Sequence, residues 1–170
     1  RRSSDLCGLV VYFRFPENQD LDSKCLETIH ELLEDKGAWL KPTEGEWAGL
    51  TPFLLLLCAL ELNPTSEKIY QLIKNVHDAV EKPVLRVWLP FIQTSSFSSN
   101  AFYYLLTVLQ KYPHSKPCHD LLDLVVHSCD VSDLDQVLGN LVIAHERDPN
   151  DLLRTSIVNL VLDVDNHVLL

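Results

Sequence analysis

The chain of 170 residues has no Met, only five Gly, and 14 Lys plus Arg against 24 Asp plus Glu. Each shortage excludes something. The cation deficit leaves a formal net charge of −10. DNA and RNA binding begins with Lys and Arg neutralising phosphates, so this balance argues against a broad nucleic-acid surface. Five scattered glycines cannot build a phosphate cradle or a dinucleotide turn, and no Gly-x-Ser-x-Gly elbow occurs. The five cysteines, Cys7, Cys25, Cys58, Cys118 and Cys129, are odd in number and widely spaced. That pattern fits reduced thiols rather than a disulfide framework. The longest apolar run, Phe53 to Leu60, is far short of the ~20 residues of a membrane span. The first residues lack the apolar stretch of a signal peptide. Asn63-Pro64-Thr65 carries the Pro that blocks glycosylation. A cytoplasmic or nuclear location is expected. With no initiating Met, the chain is expected to be a piece of a longer polypeptide, opening on Arg1-Arg2-Ser3-Ser4, a sequence of the kind basophilic kinases modify.

What is present in quantity is Leu, 32 residues of it, in a composition 46% hydrophobic and 22% charged. Leu favours helices and Gly does not, so the balance points to an all-α fold. A chain of this length can bury roughly 68–70% of its unfolded surface and needs no metal or disulfide to hold a core. The reading is one helical domain over residues 1–170, more irregular in 1–97 and more regular in 98–167.

Helical periodicity recurs along the chain. Leu21, Cys25, Leu26, Ile29, Leu32 and Leu33 form one stripe, followed by Gly37 at a C-cap position. A helix beginning near Thr51 is apolar on all sides and belongs inside. Ile69, Leu72, Ile73, Val76 and Val80 form the next stripe, with Asn63-Pro64 read as its cap and first-turn Pro and Pro83 as its stop. Further helices are predicted over 98–112, 116–129, from the capping-box pair Ser132 and Asp135, and from Asp148-Pro149. The third has Leu134, Val137, Leu138, Leu141 and Val142 inside, and the last has Leu152, Leu153, Ile157, Leu160, Val161 and Val164 on one side. Their starts lie roughly 16–18 residues apart, a helix-pair rhythm of ~34. Leu9 to Phe13, the one short run with strand character, lacks hairpin signals and reads as helix.

Consecutive short helices with tight loops resemble the armadillo, HEAT and tetratricopeptide repeats. Against the tetratricopeptide pattern closed on Pro149, Ala144 and Leu124 fit, whereas Val125, Ser128, Val137 and Leu141 do not. The closer resemblance is to the degenerate armadillo/HEAT kind. It implies stacked antiparallel helix pairs, an α-solenoid or compact helical-repeat domain, that binds proteins and has no chemistry of its own.

Several constellations resemble chemical sites and fail on spacing. His30-Glu31-Leu32-Leu33-Glu34 has Glu where the zinc-protease helix needs its second His. Cys118, His119, His127 and Cys129 look like a zinc set. On one helix the two thiols would be ~16 Å apart, too far for one ion. The acidic run Asp130 to Asp135 lacks the Gly and Glu of a calcium loop, with Leu138 and Ala144 in their places, and the helix macrodipole explains it. No catalytic, cofactor or metal residue is therefore assigned. The Ser-rich stretch Gln93 to Asn100 is the clearest loop, and aromatics flank it. Trp88, Phe91 and Phe97 there, with Trp39 and Trp47 around a second loop, are the candidate partner-binding anchors. The favoured function is a non-catalytic scaffold or complex subunit holding a partner helix or peptide in an apolar groove, with acidic edges selecting a basic partner. Two alternatives are a small intracellular enzyme or regulatory domain using a Cys–His or His–Asp pair brought together in space, and a nucleic-acid-associated subunit with a local basic groove. The oligomeric state is left open.

Overall fold

The computed structural model describes residues 39–42, 49–95 and 98–169, with side chains as far as Leu162. Trp47, Phe97, the Leu9–Phe13 run and the stripe around His30 lie outside the described residues.

Helix α1, Pro52–Leu62, starts where expected. The Thr51 hydroxyl accepts from the Leu54 N–H, and Pro52 takes the first helical position, where no N–H is needed. Phe53 to Leu57 are all buried, as an all-round apolar helix requires. Helix α2, Glu67–Ala79, buries one stripe, Ile69, Leu72, Ile73 and Val76. Its cap is Ser66, whose Oγ accepts from the Ile69 N–H. Asn63, read from the sequence as this cap, instead ends α1 at φ −134° and ψ 65°. The cause is Pro64, since a residue before Pro is forced out of the helical region.

Residues 80–100 do not pass directly to the next helix. A π-helical turn, Val84–Trp88, leads into β1, Phe91–Gln93, which pairs antiparallel with β2, Ser98–Asn100. Phe91 lies opposite Asn100 and Gln93 opposite Ser98. The stretch read as loop is thus a small hairpin, and Ser98–Asn100 is strand rather than the first turn of a helix. Helix α3, Ala101–Lys111, begins only after Asn100, whose side chain caps the Tyr103 N–H at 2.7 Å.

The last three helices are α4 (Lys116–His127), α5 (Val131–Arg147) and α6 (Asp151–Leu169). Ser115 caps α4 through the Cys118 N–H. The capping box of α5 uses Asp130 and Asp133, two residues earlier than Ser132 and Asp135. Asp148 closes α5, and Asn150 caps α6 by accepting from the Leu152 N–H. From α3 onward the helices start at 101, 116, 131 and 151. The spacing therefore widens at the end.

These helices pack as antiparallel pairs in two rows. Pairs α1–α2, α3–α4 and α5–α6 are joined by turns of three or four residues. Between pairs, α1 packs on α3 and α3 on α5 in one row, and α2 packs on α4 in the other. The described residues form an all-α stack of helix pairs, with the core between the rows. Trp88 closes that core by setting its ring edge-on against Phe53 at 5.0 Å and 89°.

Candidate functional site

The three described aromatic anchors proposed from the sequence do not share one surface. Trp88 and Trp39 are buried, so neither reaches a partner in this fold. Their ring area goes into the core, where large aromatics gain most. Phe91 alone among the described three stands out, 67% exposed on β1. The Cys and His residues around α4 do not converge either. Cys118 is buried at the first turn, and Cys129 lies beyond the far end. His119 engages the Pro113 carbonyl oxygen and His127 that of Asp123. Burial raises the Cys118 thiol, and burial together with Asp133 and Asp130 pushes Cys129 up to about 12. Both are protonated thiols at neutral pH. Among the described residues no His, Cys, Asp or Glu cluster is spaced to hold a metal ion, and no helix is long and apolar enough to cross a membrane.

Two other surfaces emerge. The first lies on the last helix pair. Val158, Val161 and Leu162 of α6 are exposed, as are Val142 and Ile143 of α5. The sequence reading placed Val142 and Val161 inside, which the structure corrects. Helix α6 carries two apolar stripes. One is Leu153, Ile157 and Leu160, packed on the core, and the other is Val158, Val161 and Leu162. The sequence reading set Val161 on the apolar side and did not single out Val158 or Leu162, although the three form an i, i+3, i+4 set. Asp135, Glu146 and Asp148 are exposed on α5 and at its end, as are Arg147 and, one turn before Val158 on α6, Arg154.

The second surface is the edge formed by the pair turns. Asn63-Pro64, Tyr112-Pro113 and Asp148-Pro149 each end a helix in the same way, with a non-helical residue before Pro. The turns are tied together. The Ser115 hydroxyl donates to the Pro64 carbonyl oxygen, and Gln110 Nε2 donates to the carbonyl oxygens of Ala144 and Asp148 at 2.9 and 3.0 Å. Between the first two turns lies a cavity of about 260 Å³, walled by Pro64, Thr65, Tyr112 and Pro113. Lys111 also lines it. Its ammonium stands 5.3 Å from the Tyr112 ring centre and 3.4 Å from Glu61. The Tyr104 hydroxyl donates to the other oxygen of Glu61, and burial raises the pKa of that phenol.

No family model, curated protein or solved structure matches the chain.

Proposed function

We propose that this chain is a non-catalytic protein-interaction scaffold, an α-solenoid of the armadillo/HEAT kind. The observation that carries the reading is the second apolar stripe of α6. A helix apolar on two sides is built to be covered on both. Contiguous exposed aliphatic surface marks an interaction site more often than chance placement. The fitting partner is an amphipathic helix laying its apolar face along Val158, Val161 and Leu162. The chain's net charge of −10 favours encounter with a partner that carries basic residues around that face.

The test is a comparative capture from cell extract. The chain and its Val158→Gln/Leu162→Gln variant serve as baits at equal loading. Partners held by the stripe are retained by the parent and lost by the variant. If the variant keeps every partner of the parent, the stripe is not the binding surface and the reading fails.

A further inference from the structure

We propose that the helix covering the outer stripe of α6 is α6 of a second copy of this chain, laid antiparallel across a two-fold axis. This rests on the stripe being an interaction surface, and it names the occupant. Helix α6 has 19 residues and packs chiefly on α5 among the described elements. Leu153, Ile157 and Leu160 serve that packing, which leaves Val158, Val161 and Leu162 in water.

The sequence of that face selects its own partner. Arg154 stands four positions before Val158, and Asp165 four positions after Val161. Positions four apart share a helix face, so a basic position opens the stripe and an acidic position closes it. The midpoint between Arg154 and Asp165 falls between Asn159 and Leu160, and so does the midpoint between Val158 and Val161. One two-fold axis at that point therefore sets Arg154 against Asp165 of the second copy at both ends, and Val158 against Val161 in between. The axis also lies at the middle of Asp151–Leu169, so the two helices overlap along nearly their full length. Isologous contacts of this kind are the commonest form of self-association. A parallel arrangement would set Arg154 beside Arg154 and Asp165 beside Asp165, and like charges at a contact repel.

Arg154 is free to take part. It donates to Asp151 at 2.9 Å in a pair whose members are 68% and 93% exposed. An exposed pair holds weakly, and a guanidinium carries five N–H donors, so Arg154 can meet a second carboxylate while keeping the first. On the second copy, Arg154 is the basic residue that flanks the apolar face. The total charge of −10 on each copy opposes approach from a distance. At physiological salt the Debye length is about 8 Å, so charges away from the contact are largely screened and the helix face decides. One helix face is smaller than the standard interface of about 1,600 Å², so the dimer is expected to be weak and reversible.

The experiment is sedimentation equilibrium of the full chain at physiological salt, with helix content checked by circular dichroism. The parent should pass from monomer to dimer as its concentration rises towards millimolar, and Val158→Gln/Leu162→Gln should stay monomeric. Arg154→Asp and Asp165→Arg should each weaken the dimer at least about tenfold, because each brings like charges together at both ends. The double variant Arg154→Asp/Asp165→Arg should recover parental association. So should an equimolar mixture of the two single variants, which pair with each other, and a misfolded variant could not give that recovery. A parent that remains monomeric up to millimolar concentration overturns the second copy as occupant, as does a dimer that survives Val158→Gln/Leu162→Gln. Single variants that dimerise like the parent, or that are rescued neither by the double variant nor by mixing, overturn the antiparallel register. A monomeric parent whose captured partners are lost by Val158→Gln/Leu162→Gln would leave the stripe as a docking surface for another helix. A monomeric parent whose partners are unaffected would sink both readings.

Discussion

His77 and Asp133 are two titratable side chains that the stack buries, and they act in opposite directions. His77 Nδ1 lies 3.2 Å from Asp78, while its Nε2 is buried without a partner. Burial lowers its pKa below the ordinary 6.5, against the opposing pull of Asp78 and with the help of Lys74. The unfolded chain therefore binds this proton more readily than the folded one. Stability is complete above about pH 6.5 and is lost as pH falls through the window below it. In urea unfolding from pH 7.5 to 5, the parent should lose stability more steeply than His77→Leu. Parallel curves would show that His77 is not the titrating group. Asp133 has its pKa raised, chiefly by burial, and one carboxylate oxygen has no partner. Its other oxygen accepts from the Asp130 N–H to complete the capping box. Here the folded state holds the proton more tightly, so ionised Asp133 costs stability at neutral pH. Asp133→Asn keeps the accepting oxygen and removes the charge, and should cost nothing or gain up to about 1 kcal/mol. Asp130→Ala, which removes the cap itself, should cost about 1 kcal/mol. Thermal melts of the two variants at pH 7 decide this, and a larger loss for Asp133→Asn would reverse the assignment. Neither residue was visible as special in the sequence. Both sit among ordinary helix-end polar groups, and only the packing shows which ones are enclosed. The aromatic anchors misled for the same reason, because Trp88 and Trp39 read equally well as surface or core until the fold encloses them.

Helices were the most legible level. All six described ones follow the apolar pattern, all-round in α1 and striped in the others, and the start of α1 at Thr51-Pro52 was read directly from the chemistry of Pro. What the pattern did not resolve was which side of each Pro turn a polar residue serves. Asn63 and Asp148 look like caps for the helix that follows, yet each ends the helix before it. The restriction that Pro places on its predecessor outweighs the capping preference of Asn or Asp there. The hairpin escaped because its strands are three residues long and β2 is Ser-Ser-Asn, with no alternation to detect. One element still carries a removable weakness. Gly139 lies exposed in the middle of α5, with a helical backbone and nothing within 4 Å of where a Cβ would sit. Glycine there costs backbone entropy and fills no packing need. Gly139→Ala should stabilise the chain by roughly 0.5–1 kcal/mol in a denaturant titration. Destabilisation would mean that α5 needs to bend or to approach another surface at that point.

At the scale of the molecule, the two-row order could not be read from the sequence, because it depends on which helices meet across pairs. That order decides the fate of the first and last described helices. Helix α1 packs on α2 and α3 and also receives Trp88 against Phe53, so its apolar residues from Phe53 to Leu57 are covered all round. Helix α6 packs chiefly on α5, and its second stripe is left in water. The inner residues Leu153 and Leu160 then carry its stability, and the outer residues Val158 and Leu162 do not. Leu160→Ala should cost about 2–5 kcal/mol, the range for a buried Leu truncated in a packed core. Val158→Gln/Leu162→Gln should change stability by no more than about 0.5 kcal/mol, as for surface positions away from special features. The same double variant should lower the fluorescence of an apolar dye such as anilinonaphthalene sulfonate, which reports exposed hydrophobic surface. A loss of several kcal/mol in the outer variant, or unchanged dye binding, would place these residues inside. The open stripe would then cease to exist as a docking surface.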